Sequence, residues 1–227
     1  MKIIIVGNGA SVYNVKNGDK IDNFDYVVRM GSFRTKGYEK YVGTKTDMIR
    51  TSWDRIVKNE NNKLKLAITL RCKDILFLEP HNDIFYETVS IGNTYRLRKI
   101  FNKPRFYAFR FGDILTTCNE RILHDYFTRA ILYQKNMFYY SINHRIELFK
   151  KYNNYINDGN IHMPSSGLCT IDYIVNNIPG EIFITGFDGF ETKYYWRQTD
   201  EYFDSHSSVK EKVFLKNMIK TGVVSYL

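Results

Sequence analysis

A chain of 227 residues, 44% hydrophobic and 16% aromatic, is long enough for one domain with a sizeable core, and no second domain is expected. Its formal net charge of +9 is uneven: Arg96, Arg98, Lys99, Lys103, Arg105 and Arg110 form a basic run with no acid between them, while Glu181, Asp188, Glu191, Asp200, Glu201, Asp204 and Glu211 crowd the last part. This asymmetry excludes a uniform nucleic-acid coat; the run 96–110 suits phosphate or peripheral contact with an anionic membrane, with a solvated loop as the plain alternative. Cys72, Cys118 and Cys169 are odd in number and widely spaced, which excludes paired zinc or redox motifs and leads us to expect reduced thiols in a cytoplasmic protein. No apolar run approaches membrane-spanning length and Met1-Lys2-Ile3 enters a strand at once, so neither signal peptide nor anchor is expected.

Ile3 to Val6 make a short apolar strand that runs into Gly7-Asn8-Gly9-Ala10-Ser11. A buried strand followed by a glycine turn and a helix start is how open α/β sheets offer a nucleotide to the carboxyl ends of their strands. A dinucleotide fingerprint would want glycine at Val12 and an acid after the second strand, but Tyr26-Val27-Val28 ends on Arg29. That argues against NAD and leaves an NADP oxidoreductase only as an alternative. From Asp25 a strand, a loop punctuated by Gly31, Gly37 and Gly43, and a strand around Asp47 to Thr51 follow, with Arg34, Lys36, Lys40 and Lys45 placed to reach an anion or simply to be solvated. Further strands are expected at Ile75–Leu78 and Phe106–Phe109, and amphipathic helices at Ile122–Leu132 and Ile142–Tyr152. The aromatic residues Tyr126, Phe127, Tyr133, Phe138, Tyr139 and Tyr140 read as core at helical spacing or as a sugar surface.

Pro164 to Phe190 organises the rest of the chain. Pro164 fixes φ, Ser165 and Ser166 supply hydroxyls, and Gly167 lets a ligand approach a helix N-terminus whose first N–H groups are unpaired, which makes an anion site. Leu168, Ile171, Ile174, Val175 and Ile178 recur at helical spacing, Pro179-Gly180 ends the helix, and Ile182-Phe183-Ile184 form a buried strand. Strand and helix alternating in this way predict an α/β domain with a mostly parallel sheet covered by helices on both faces.

Together, Gly7-Asn8, Val28-Arg29-Met30, Gly37-Tyr38-Glu39 and Val42-Gly43-Thr44-Lys45-Thr46 resemble the long donor-binding motif of the animal-type sialyltransferases, glycosyltransferase family 29. Pro164-Ser165-Ser166-Gly167-Leu168 with Ile184-Thr185-Gly186-Phe187 resembles that family's short motif, and His206 to Glu211 its very short motif. A more distant likeness is to the bacterial family 42 sialyltransferases. The resemblance implies a Rossmann-like variant of the GT-A fold, a CMP-sugar donor with no other cofactor and no metal, and a glycan or glycolipid acceptor. It makes Gly7, Asn8, Gly9, Ser11, Ser165, Ser166 and Gly167 donor-binding candidates. Where the family has a nucleotide-contacting asparagine this chain has Gly31, followed by Ser32, and both join the donor set. The family's cysteine pair has no counterpart, and its third motif falls near Tyr194-Tyr195-Trp196-Arg197 without a histidine; Tyr194 and Tyr195 are candidates for the leaving phosphate.

His206 is the candidate catalytic base, with a surface-loop histidine as the alternative. Ser208 and Glu211 have capping-box spacing, which would set His206 just before a helix N-terminus whose partial positive charge disfavours imidazolium. A neutral imidazole is the form a general base requires. His81, His124, His144 and His162 lack metal-ligand spacing, and there is no Asp-x-Asp pair for a diphosphate-bound metal. The expected function is inverting transfer of sialic acid, or a related nonulosonic acid, by a cytoplasmic enzyme building lipopolysaccharide or capsule glycan. A catalytically inactive nucleotide-binding module is a second alternative.

Overall fold

A computed structural model describes residues 1–31, 33–52, 74–78, 107–111, 114–118, 136–140, 142–155, 162–196 and 207–227. In chain order the described elements are β1 (Lys2–Val6), a 3-10 turn (Ala10–Asn14), α1 (Gly18–Asp22), β2 (Tyr26–Met30), α2 (Glu39–Val42), β3 (Met48–Ser52), β4 (Asp74–Leu78), β5 (Tyr107–Phe111), β6 (Ile114–Cys118), β7 (Asn136–Tyr140), α3 (Ile142–Tyr155), α4 (Ser166–Asn177), β8 (Glu181–Thr185), α5 (Ser208–Lys220) and β9 (Ser225–Tyr226). They fall into two units, Met1–Arg50 with Leu148–Leu227, and Thr51–Glu147.

The first unit is built on parallel strands in the order β3-β2-β1-β8-β9. β1 sits in the middle, with Ile4 opposite Val27 on one side and Phe183 on the other. Its four apolar residues are fully buried because alternate side chains serve both covered faces of the sheet. Burying each stabilises the fold by about 1.5–3 kcal/mol relative to exposure. Ile4 and Val6 pack with Val12, Ile21, Phe24 and Val27 on one face, and Phe24 meets Phe183 edge to face at 5.1 Å. α4 buries Leu168, Ile171 and Ile174 among the positions that its spacing predicts, while Val175 and Ile178 are half-buried.

Arg29, fully buried on β2, donates from Nε to Lys45 O at 2.9 Å and to Thr46 Oγ1 at 3.0 Å, and from Nη2 to Val42 O at 2.7 Å. Burial lowers its pKa to about 10. Asp22 receives Thr44 N at 2.8 Å and Lys45 N at 2.9 Å, while Lys45 Nζ donates to Phe24 O. The Val42–Thr46 block is therefore a clamped structural corner, and Lys45 is spent inside it.

In the second unit β4 pairs parallel with β7, and β5 and β6 form an antiparallel pair. β4 and α3 lie where the sequence predicts them, and β5 lies within a residue or two. Phe138, Tyr139 and Tyr140 lie in a strand, β7, and not at helical spacing; Tyr140 is buried, in keeping with the core reading. The helix expected at Ile122–Leu132 and the basic run 96–105 lie outside the described residues. Among the described residues no helix is long and apolar enough to cross a membrane.

Candidate functional site

The carboxyl ends of β1 and β8 lie side by side, and both glycine turns leave from there. Gly7 N donates to Thr185 O at 2.7 Å and Gly9 N to Gly186 O at 2.9 Å. A Cβ on Gly7 would stand 2.3 Å from Gly186 O, and one on Gly9 would stand 2.2 Å from Asp188 Oδ2. These glycines are demanded by the approach of the two loops, where the sequence alone suggests ligand access. Gly7→Ala must push two backbone segments apart, and about 1–3 kcal/mol of stability should be lost. Urea unfolding checks this; a midpoint equal to that of the unsubstituted chain would mean the loops yield freely.

Asn8, between the two glycines, is 9% exposed, and its Oδ1 has no hydrogen-bond partner among the described residues. An unpaired buried amide oxygen is costly, which marks it as an acceptor awaiting a donor. Its backbone is held, since Asn8 O accepts from Tyr195 N at 2.9 Å. Ser11 N reaches Asp188 Oδ2 at 3.4 Å and Ala10 N reaches Thr192 Oγ1 at 2.7 Å, so a carboxylate and a hydroxyl of the chain itself already occupy these amides.

A further turn, Pro164 to Gly167, is built on Ser165, the N-cap of α4, whose Oγ accepts from Leu168 N at 3.0 Å. The same hydroxyl donates to Glu211 Oε1, and Ser165 N donates to Glu211 Oε2 at 3.4 Å. Ser207, not Ser208, caps α5, accepting from Lys210 N at 3.2 Å. The predicted Ser208–Glu211 capping box is thus corrected: with the cap one residue earlier, Glu211 leaves its own helix and joins α5 to the start of α4. Glu211 is 3% exposed, and burial pushes its pKa up to about 7, while hydrogen bonds from Ser165 and Tyr152 oppose the rise. Beyond the capped amides, the N–H groups of Ser166 and Gly167 have no partner among the described residues.

Phe187 brings the turns together. Its ring lies 3.1 Å from where a Gly7 Cβ would stand and 2.8 Å from where a Gly167 Cβ would stand, so one ring separates two turns 160 positions apart in sequence. The loop after it folds back over β1: Tyr194 bridges Gly9, and its ring lies 5.5 Å from that of Trp196, which carries the Arg34 guanidinium at 4.9 Å.

The expected phosphate ligands separate here. Tyr194 is half-buried beside the Gly9 turn. Tyr195 is buried, and its hydroxyl donates to Arg34 O and accepts from Arg34 N at 3.1 Å. That hydroxyl anchors the loop after β2 and has no lone donor left for a phosphate. Gly31 follows β2 in a turn closed by Phe33 N donating to Met30 O at 3.0 Å. Ser32 and His206 lie outside the described residues. Asp188 and Thr192 escaped the sequence reading because their partners are 177 and 182 residues away.

A model of glycosyltransferase family 29 (sialyltransferase) matches residues 2–223. The chain is 49% identical over 47 residues to CMP-N-acetylneuraminate-beta-1,4-galactoside alpha-2,3-sialyltransferase of Homo sapiens, a stretch that is 21% of this chain and 12% of that relative. It is 30% identical over 83 residues to CMP-N-acetylneuraminate-beta-galactosamide-alpha-2,3-sialyltransferase 4 of Homo sapiens, 34% of this chain and 25% of that one. A mammalian sialyltransferase crystallised with Gal-beta-1-3GalNAc-ortho-nitrophenol superimposes with a TM-score of 0.58 at 15% identity, over 100% of this chain and 68% of its own. The sialyltransferase CstII of Campylobacter jejuni with CMP-3FNeuAc gives 0.55 at 16% identity, over 99% and 80%. At such identities the superpositions speak for the fold, a Rossmann-like α/β sheet; the family match, running from β1 to the end of α5 and just beyond, places this chain in glycosyltransferase family 29, the sialyltransferases.

Proposed function

We propose that the protein transfers sialic acid, or a related nonulosonic acid, from its CMP donor to a hydroxyl of a glycan or glycolipid acceptor with inversion, and that it needs no metal. The observation that carries this reading is the meeting of the two turns across the Phe187 ring, with the unpaired Asn8 Oδ1 on one and the unpartnered Ser166 and Gly167 amides on the other. Asn8 Oδ1 accepts a hydrogen bond from the nucleotide. The α4 N-terminus holds the donor's phosphate or sugar carboxylate. Tyr194 donates to the leaving phosphate.

The acceptor oxygen attacks the anomeric carbon while the bond from that carbon to the phosphate oxygen breaks, its electron pair leaving with CMP. His206 takes the acceptor proton. Inversion follows from a single displacement. A donor with one phosphate carries less charge than a nucleoside diphosphate sugar, which suits a site that neutralises it with amides and hydroxyls.

The test is incubation with CMP-sialic acid and a panel of galactose-ended acceptors, with and without EDTA, followed by mass measurement. Acceptors heavier by one sialic acid residue are expected in both conditions. Transfer abolished by EDTA and restored by magnesium or manganese would overturn the metal-free part. CMP binding with neither transfer nor donor hydrolysis would leave a nucleotide-binding module.

A further inference from the structure

We propose that Thr192 and Asp188 are positioning residues: a relay from hydroxyl to carboxylate that fixes the Asn8 turn against the loop bearing Tyr194. The proposal rests on the reading of Gly7–Ser11 as the turn that receives the nucleotide. Ala10 and Ser11 open the 3-10 turn, and amides at such a start have no partner within it. Both are taken by the loop after β8. Ala10 N donates to Thr192 Oγ1 at 2.7 Å, with Lys193 O as a longer second acceptor at 3.1 Å, and Ser11 N donates to Asp188 Oδ2 at 3.4 Å. Thr192 Oγ1 then donates its own proton to the same Asp188 oxygen.

The hydroxyl must accept and donate at once, and its acceptor is charged, which strengthens the bond. Between Asn8 and these amides, Gly9 bridges Tyr194, and Tyr195 N donates to Asn8 O. Asn8 and Tyr194, the two groups assigned to nucleotide and leaving phosphate, are thereby held at one spacing by bonds on both flanks of Tyr194. Thr192 is exposed, so packing does not account for a β-branched residue here. Its hydroxyl is what the geometry uses.

Thr192→Val keeps the shape and removes the hydroxyl; Thr192→Ser keeps the hydroxyl and removes the methyl. CMP affinity by calorimetry, KM and kcat for CMP-sialic acid, and hydrogen exchange at Ala10 and Ser11 are read on the full chain. Thr192→Val should weaken CMP about tenfold and speed exchange at both amides, Thr192→Ser should stay within about twofold of the unsubstituted chain, and thermal midpoints should agree. Asp188→Ala should act like Thr192→Val, and the double variant should lose no more than the worse single one, because one relay is broken once. A Thr192→Val chain that matches the unsubstituted one, or a Thr192→Ser chain as impaired as Thr192→Val, would overturn the relay. If the unsubstituted chain fails to bind CMP, the donor reading fails by itself, and the exchange comparison still decides the relay.

Discussion

Replacing His206 with alanine should lower kcat by about two to four orders of magnitude, the usual worth of a positioned general base, and leave CMP affinity unchanged. Ser207, the next residue, caps α5, and Glu211 one turn later is bonded to Ser165 at the head of α4. The chain that follows His206 is thus tied to the turn proposed to hold the donor anion. A base acts only on the acceptor proton, so nucleotide binding should not register its loss. The pH profile of kcat/KM should also lose the acid limb that a general base imposes. Transfer by the purified variant at the unsubstituted rate would remove His206 from the mechanism.

Glu211 should make the fold more stable in mild acid than at neutral pH. With its pKa at about 7 in the folded chain, against 4.5 as the ordinary value, the native state keeps a proton that the unfolded chain has released. Its contribution is full below about 4.5 and is lost as pH rises through about 7, a change of roughly 3 kcal/mol by linkage. Glu211→Gln is neutral throughout and should flatten that slope, so that it matches or exceeds the unsubstituted chain above pH 7. Glu211→Ala instead strips Ser165 N and Oγ of their acceptor and leaves a buried void, which should cost about 2–4 kcal/mol at any pH. Urea unfolding at intervals from pH 4.5 to 8 separates the cases; an identical slope in Glu211→Gln would assign the dependence to another group.

Apolar runs ended by glycine or proline made β1, β2, α4 and β8 legible, because strand and helix periods there are short-range properties of the chain. Phe138–Tyr140 fall in a strand and not at the expected helical spacing, because side-chain type does not separate the two periods over so few residues. The α5 cap slipped by one residue because Ser207 and Ser208 are chemically equal at that position, and only the folded helix decides between them. Glu211 had a visible local use, and its real partner lies 46 residues away. Contacts of that kind, together with those of Tyr195, Asp188 and Thr192, depend on which strands become neighbours. Nothing in local spacing encodes them.

The crowding around Gly7 and Gly9 bears on how a chain of this family that had lost its chemistry would look. Such a pseudoenzyme would still need both glycines, since their missing side chains make room for Gly186 and Asp188 whatever the pocket contains. Drift after loss of catalysis would show first where architecture makes no demand, at the idle amide oxygen of Asn8 and the open amides that follow Ser165.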